Sequence, residues 1–229
     1  MIKFLKTIKM KKTSTIFTAV LMTAMILSSC GGGSKQPNTG SITYEVTIGK
    51  QVWMTQNLNV DKFLNGEAIP EAKTKGEWSA YGQAGEAAWC YDPQNGEKSG
   101  KLYNWYAVND PRGLAPKGWH IPSNTEWTEL TDYLGGAEKA GAKMKSKEGW
   151  GDKGNGTNSS GFSGLPGAFI FHSGEPDDFF SDKICCWWSS TEDRIDYAVA
   201  AIIEYPENKL VINSFNHKYG ISVRCIRDY

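Results

Sequence analysis

A chain of 229 residues with 25 basic and 25 acidic side chains and 40% hydrophobic residues has apolar material for one sizeable core and no net charge to attract a polyanion. Five lysines fall within the first 29 residues, so the remainder carries 20 basic against 25 acidic groups, net −5. That balance excludes the basic face on which nucleic-acid binders rely, and no nucleic-acid partner is expected.

Lys3, Lys6, Lys9, Lys11 and Lys12 precede a short apolar run, residues 16–27, that ends in Leu27-Ser28-Ser29-Cys30. A run of about a dozen residues is too short to cross roughly 30 Å of hydrocarbon, and small residues follow it where a peptidase cuts. The pattern resembles bacterial lipoprotein signals. The resemblance implies that residues 1–29 are removed, that Cys30 is lipidated, and that the protein sits in the bacterial cell envelope as an outer-membrane lipoprotein. Residues 30–42, with "GGGSKQPNTG" after the cysteine, offer almost nothing to bury and read as a flexible tether.

The domain is expected over residues 43–229. Its first element is a hairpin: Ile42, Tyr44, Val46 and Ile48 alternate with polar neighbours, Gly49-Lys50 makes the turn, and Val52 and Met54 resume the alternation. Residues 57–100 show no sustained period and predict a long irregular loop region pinned by Trp78, Tyr81 and Trp89. "GKLYNWYAV" (residues 100–108) reads as a short buried aromatic segment.

"GWHIPSNTEWTEL" (residues 118–130) carries Ser123-x-x-Glu126, a capping box, followed by Trp127, Leu130 and Leu134 on one helical face and Gly135 at the stop. Glu126 thus has a structural task. His120 has no sequence neighbour of metal-ligand or catalytic spacing, so it reads as a partly buried histidine ahead of a helix. A second short helix is predicted over residues 137–146. Candidate strands follow in "GFSGLPGAFIF", "CCWWSST", "DYAVAAIIEY", "KLVINSF" and "GISVRCIRDY", giving an α+β domain with two helices and many short strands.

Four cysteines remain beyond Cys30, namely Cys90, Cys185, Cys186 and Cys225, and an even number outside the cytoplasm suggests disulfides whose connectivity spacing alone does not settle.

The blocks "YEVTIGKQVWMTQNLNV", "WCYDPQNGEKSGKLYNWYAVNDPRGLAPKGWHIPSNTEWTELTDYLGG", "GTNSSGFSGLPGAF", "WWSSTE" and "GISVRCIRD", in this order, resemble the Fibrobacter succinogenes major paralogous domain. The resemblance implies a C-type lectin-like fold with short twisted antiparallel sheets, two helices and long ordered loops. It also implies a disulfide between Cys90 and Cys225, and brings no general activity with it. Cys185 and Cys186 depart from the family pattern, with a vicinal bridge, free thiols and intermolecular pairing all open.

For function, the sequence points to a non-catalytic, lipid-anchored binding module with a glycan or a surface protein as ligand. The candidate surface is "HSGEPDDFFSDKICCWW" (residues 172–188), where Trp187 and Trp188 supply rings for sugar C–H faces and Glu175, Asp177, Asp178 and Asp182 accept hydroxyl protons. Those oxygens are also of the kind calcium takes, beside the commoner reading of a solvated acidic loop; no other cofactor is expected. Two further readings stand: a structural or adhesive surface protein, and an oxidoreductase, because "IPSNTEW" and "VRCIRD" distantly resemble formylglycine-generating enzymes, with Cys225 and Cys185 or Cys186 as soft-metal thiolates. No Gly-x-Ser-x-Gly elbow or zinc-type spacing supports a hydrolase.

Overall fold

Strands β1 (Glu45–Ile48) and β2 (Gln51–Met54) form the expected antiparallel hairpin, with Ile48 opposite Gln51 across the turn. The computed structural model describes residues 44–93, 95–177 and 182–229, so the signal segment, Cys30, the tether and Asp178 lie outside the described residues. Gly49 turns with φ +65°, a conformation that side chains with a Cβ rarely adopt.

The region expected to be irregular holds helix α1 (Lys75–Ala84), started by Thr74 and Glu77 in a full capping box and stopped by left-handed Gly85. The signal was present as Thr74-x-x-Glu77, but few apolar residues follow it, and only Trp78 and Gly82 of the helix are buried. Strands β3 (Trp89–Asp92) and β4 (Gly96–Tyr103) come next, then the single-turn helix α2 (Trp105–Val108), capped by Asn104. Strand β5 (Trp119–His120) leads into α3 (Asn124–Tyr133), whose Ser123/Glu126 capping box forms as expected. Helix α4 (Ala137–Met144) is two residues shorter than anticipated. "GFSGLPGAFIF" makes only isolated bridges at Gly164 and Ile170 and is not a strand. The long strands β6 (Ile184–Arg194), β7 (Tyr197–Glu204) and β8 (Leu210–Asn216) follow, with β9 (Ile221–Ser222) and β10 (Ile226–Arg227) splitting the terminal block in two.

The strands form two sheets, ordered β1-β2-β10-β5 and β3-β4-β9-β6-β7-β8. Pairing is antiparallel except between β6 and β9, where Trp187 stands beside Ser222. The chain is therefore α+β, with four α-helices rather than two among the described residues.

Strand β6 is the wall of the core. Successive side chains on a strand point to opposite faces, so Cys185 and Trp187 enter one apolar cluster with Trp53, Trp127, Leu130, Met144 and Phe162. Cys186 and Trp188 enter another with Trp89, Tyr103, Trp105 and Trp119. Each large apolar side chain so buried is worth about 1.5–3 kcal/mol. Helix α4 presses so closely on the β7–β8 connection that a Cβ on Gly141 would meet the Asn208 carbonyl oxygen at 2.3 Å.

A polar hub joins these layers. Asn57 Oδ1 accepts from Trp187 Nε1 at 2.8 Å and from Arg224 Nη2 at 2.8 Å and Nε at 3.2 Å, while Asn57 Nδ2 donates to the Ser99 carbonyl at 2.9 Å. Arg224 is 2% exposed, donates also to the Phe162 carbonyl, and lies over the Phe162 and Trp187 rings. Burial pulls its guanidinium down to about 9.

The bridge that the family resemblance implied does not form: Cys90, Cys185, Cys186 and Cys225 are all free. Cys90 pairs with Leu102, and Leu102 with Ser222, which puts Cys90 two strand spacings, about 10 Å, from β9. Disulfide geometry needs Cα atoms within about 7 Å, and Cys225 lies three residues further along. Cys185 and Cys186 face opposite clusters, so no vicinal bridge forms either.

Candidate binding groove

The five described residues of the six proposed as ligand contacts do not come together as a surface. Trp187 and Trp188 are fully buried, with their indole N–H groups donating to Asn57 Oδ1 and to the Tyr103 carbonyl at 2.8 Å each. Both rings point inward because β6 has core on both faces. Glu175 is exposed and pairs with Lys75 Nζ at 2.5 Å. Asp177 is buried, its backbone N–H donating to the Phe169 carbonyl. Asp182 is exposed, and its carbonyl accepts from the Gly151 N–H at 2.9 Å. Among the described residues no group of three or more His, Cys, Asp or Glu side chains is placed to hold a metal ion. The buried thiols of Cys185, Cys186 and Cys225 are pushed up by desolvation, Cys225 to about 12, which disfavours the thiolate form a soft metal takes. No helix among the described residues is long and apolar enough to cross a membrane.

A groove of about 760 Å³ opens instead between the β1–β2 turn and the outer face of α3. The helix turns Trp127 and Leu130 inward. At spacings of four it presents two outward rows, Asn124-Thr128-Asp132 and Thr125-Glu129-Tyr133. The opposite wall is Ile48 to Gln51. Tyr133 is 65% exposed, yet its ring lies against the turn: a Cβ on Gly49 would sit 3.0 Å from the ring carbons. One face of the ring is thus held by backbone.

Gln51 anchors the floor. It is buried, its amide Nε2 donates to the Glu126 carbonyl at 3.0 Å and approaches Glu129 Oε2 at 3.5 Å, and its Oε1 accepts from Trp53 Nε1 at 3.1 Å. Burial and then the Glu126 and Glu129 charges raise the Tyr229 phenol above the usual tyrosine range. Asn124 donates from its backbone to Thr191 Oγ1 at 2.9 Å, which ties the start of α3 to β6, and its Oδ1 is buried without a partner.

Beside the groove, His120 acquires the partners that the sequence did not reveal. Its Nε2 lies 2.7 Å from Glu126 Oε1 and its Nδ1 lies 2.8 Å from Asp228 Oδ1. Strand pairing does this, because His120 stands opposite Ile226 on β10, and Asp228 follows two residues later. Burial works against charge on the imidazole, but the hydrogen bonds to Glu126 and Asp228 outweigh it and raise the histidine above its ordinary value. Burial likewise opposes ionisation of Glu126, whose bonds from Ser123 and His120 win and hold the carboxyl below its usual range. One Glu126 oxygen completes the helix cap at 2.8 Å from the Ser123 N–H while the other holds His120. The cluster is a clamp on the C-terminus.

The sequence reading missed Gln51, Tyr133 and the Asn57–Arg224 hub. A charged residue inside the apolar run "ISVRCI" was the one local sign of the last. No curated protein and no solved structure matches the chain. The signature blocks are the structural ones, with Asn57, Trp187 and Arg224 meeting in the hub and the capping box starting α3. The model of the Fibrobacter succinogenes major domain matches residues 46–227, and the chain belongs to that family.

Proposed function

We propose that the protein is a non-catalytic binding module of the bacterial envelope, held by lipid on Cys30 and taking a glycan in the groove between the β1–β2 turn and α3. The observation that carries this reading is the exposed Tyr133 ring, held on one face by the Gly49 turn beside rows of amide, hydroxyl and carboxylate groups on α3. Sugars are gripped by a flat ring on their C–H face with polar groups around their hydroxyls. The lectin-like fold belongs to the same reading, supported by the two sheets, the α3–α4 pair and the well-packed loops.

A protein ligand, in a structural or adhesive role, is the second reading, favoured by the exposed row Thr125-Glu129-Tyr133 on the outer face of α3. An oxidoreductase draws no support from Cys186 and Cys225: they share one apolar cluster, but burial raises both thiols and disfavours the thiolate form.

The test is a glycan array probed with the full chain and with Tyr133→Ala. Tyr133-dependent capture of saccharides supports the reading, and capture that ignores the substitution removes the groove from it. Fractionation of cells carrying Cys30→Ala checks the anchor: the variant leaves the membrane fraction if lipid holds the protein.

A further inference from the structure

Resting on the glycan reading of this groove, the arrangement of charge on its walls defines which saccharides fit. The helix wall carries Glu129 and Asp132 and no cation. Both project from a helix fixed at its start by a capping box and at its end by Lys143 Nζ donating to the Leu134 carbonyl. Glu129 is further steadied by the approach of the Gln51 amide. Among the described lining residues Lys50 is the one cation, exposed at the hairpin tip on a long flexible stem.

We infer that the groove selects uncharged or amino-bearing saccharides and rejects uronic-acid and other anionic ones. A sugar laid against the free face of Tyr133 brings its hydroxyl groups within the sweep of Glu129 and Asp132, which accept hydrogens but donate none. A neutral hydroxyl or an ammonium group supplies such hydrogens. A sugar carboxylate supplies only acceptors and places like charge beside two carboxylates on a rigid wall, an arrangement that costs affinity rather than adding to it. The single lysine does not reverse the sign, because an exposed ammonium on a flexible stem forms pairs worth at most about 1 kcal/mol.

Titration calorimetry of the full chain against hexasaccharides in matched neutral, amino-bearing and galacturonate-type sets tests this. The neutral or amino-bearing sugars bind, and the anionic ones bind at least about tenfold more weakly. Tyr133→Ala abolishes binding. In the Glu129→Gln/Asp132→Asn variant, whose substitutions lie on the exposed side of α3, the gap between neutral and anionic sugars narrows to less than about threefold. Anionic sugars binding as tightly as neutral ones, with Tyr133 still required, overturn the charge selectivity and leave the glycan reading standing. An unchanged gap in the double variant also overturns it. Absence of Tyr133-dependent binding across all three sets overturns both.

Discussion

His120 shows how one side chain is redefined by its distant partners. In the sequence it stands before a helix with no companion; in the fold two carboxylates close on its two ring nitrogens at 2.7 and 2.8 Å. Its raised value means that its contribution to stability is fully present below the unfolded histidine pKa and is lost as pH rises through the folded one. Glu126 behaves oppositely: its lowered value makes its contribution present above the unfolded glutamate pKa and lost as pH falls through the folded one. The pair is therefore strongest between those limits. Thermal melts of the parent and His120→Gln should differ most near about pH 5–6 and converge as pH rises beyond the histidine range. A difference that stays constant to alkaline pH contradicts the clamp. The capping role of Glu126 was readable because an i, i+3 spacing encodes it. Its second role was not, since Asp228 lies 108 residues from His120.

At the scale of elements, local spacing and close packing each decide different things. The hairpin, the α3 cap and the α3 stop were readable because turn residues and caps act over three or four positions. Helix α1 was overlooked because its cap is followed by a mostly exposed helix, so the apolar period that betrays a helix is absent. Helix α4 shows packing overruling propensity. An exposed glycine in a helix favours replacement by alanine by about 1 kcal/mol. At Gly141 the added Cβ meets a backbone oxygen at 2.3 Å, so Gly141→Ala should instead destabilise by about 1–3 kcal/mol, read as a lower denaturation midpoint in urea. A stabilised variant refutes the close approach.

Across the whole molecule, the Asn57–Arg224 hub connects the segment after β2, the Phe162 loop, β6 and the approach to β10. The two substitutions available there are not equivalent. Asn57→Leu removes the acceptor of three N–H donors and strands a buried guanidinium, so a loss of about 3–5 kcal/mol is expected. Arg224→Met removes the buried charge, keeps apolar volume against Phe162 and Trp187, and leaves Asn57 still accepting from Trp187; its cost should be clearly smaller. Equilibrium unfolding of both variants checks the order, and equal losses contradict the hub.

The sequence by itself determined the family, the α+β class, the hairpin and the α3 start, because those features rest on ordered motif blocks and on spacings of two to four residues. Only the tertiary structure decided that Trp187 and Trp188 are core, that Cys90, Cys185, Cys186 and Cys225 stay unbridged, and that Tyr133 on α3 offers a ring to solvent. The physical reason is the same in each case. A strand with core on both faces has the same alternating geometry as one facing water, and which residues share a cluster depends on strand register across long separations. Local chemistry encodes how each piece starts and stops; sheet pairing decides what it meets.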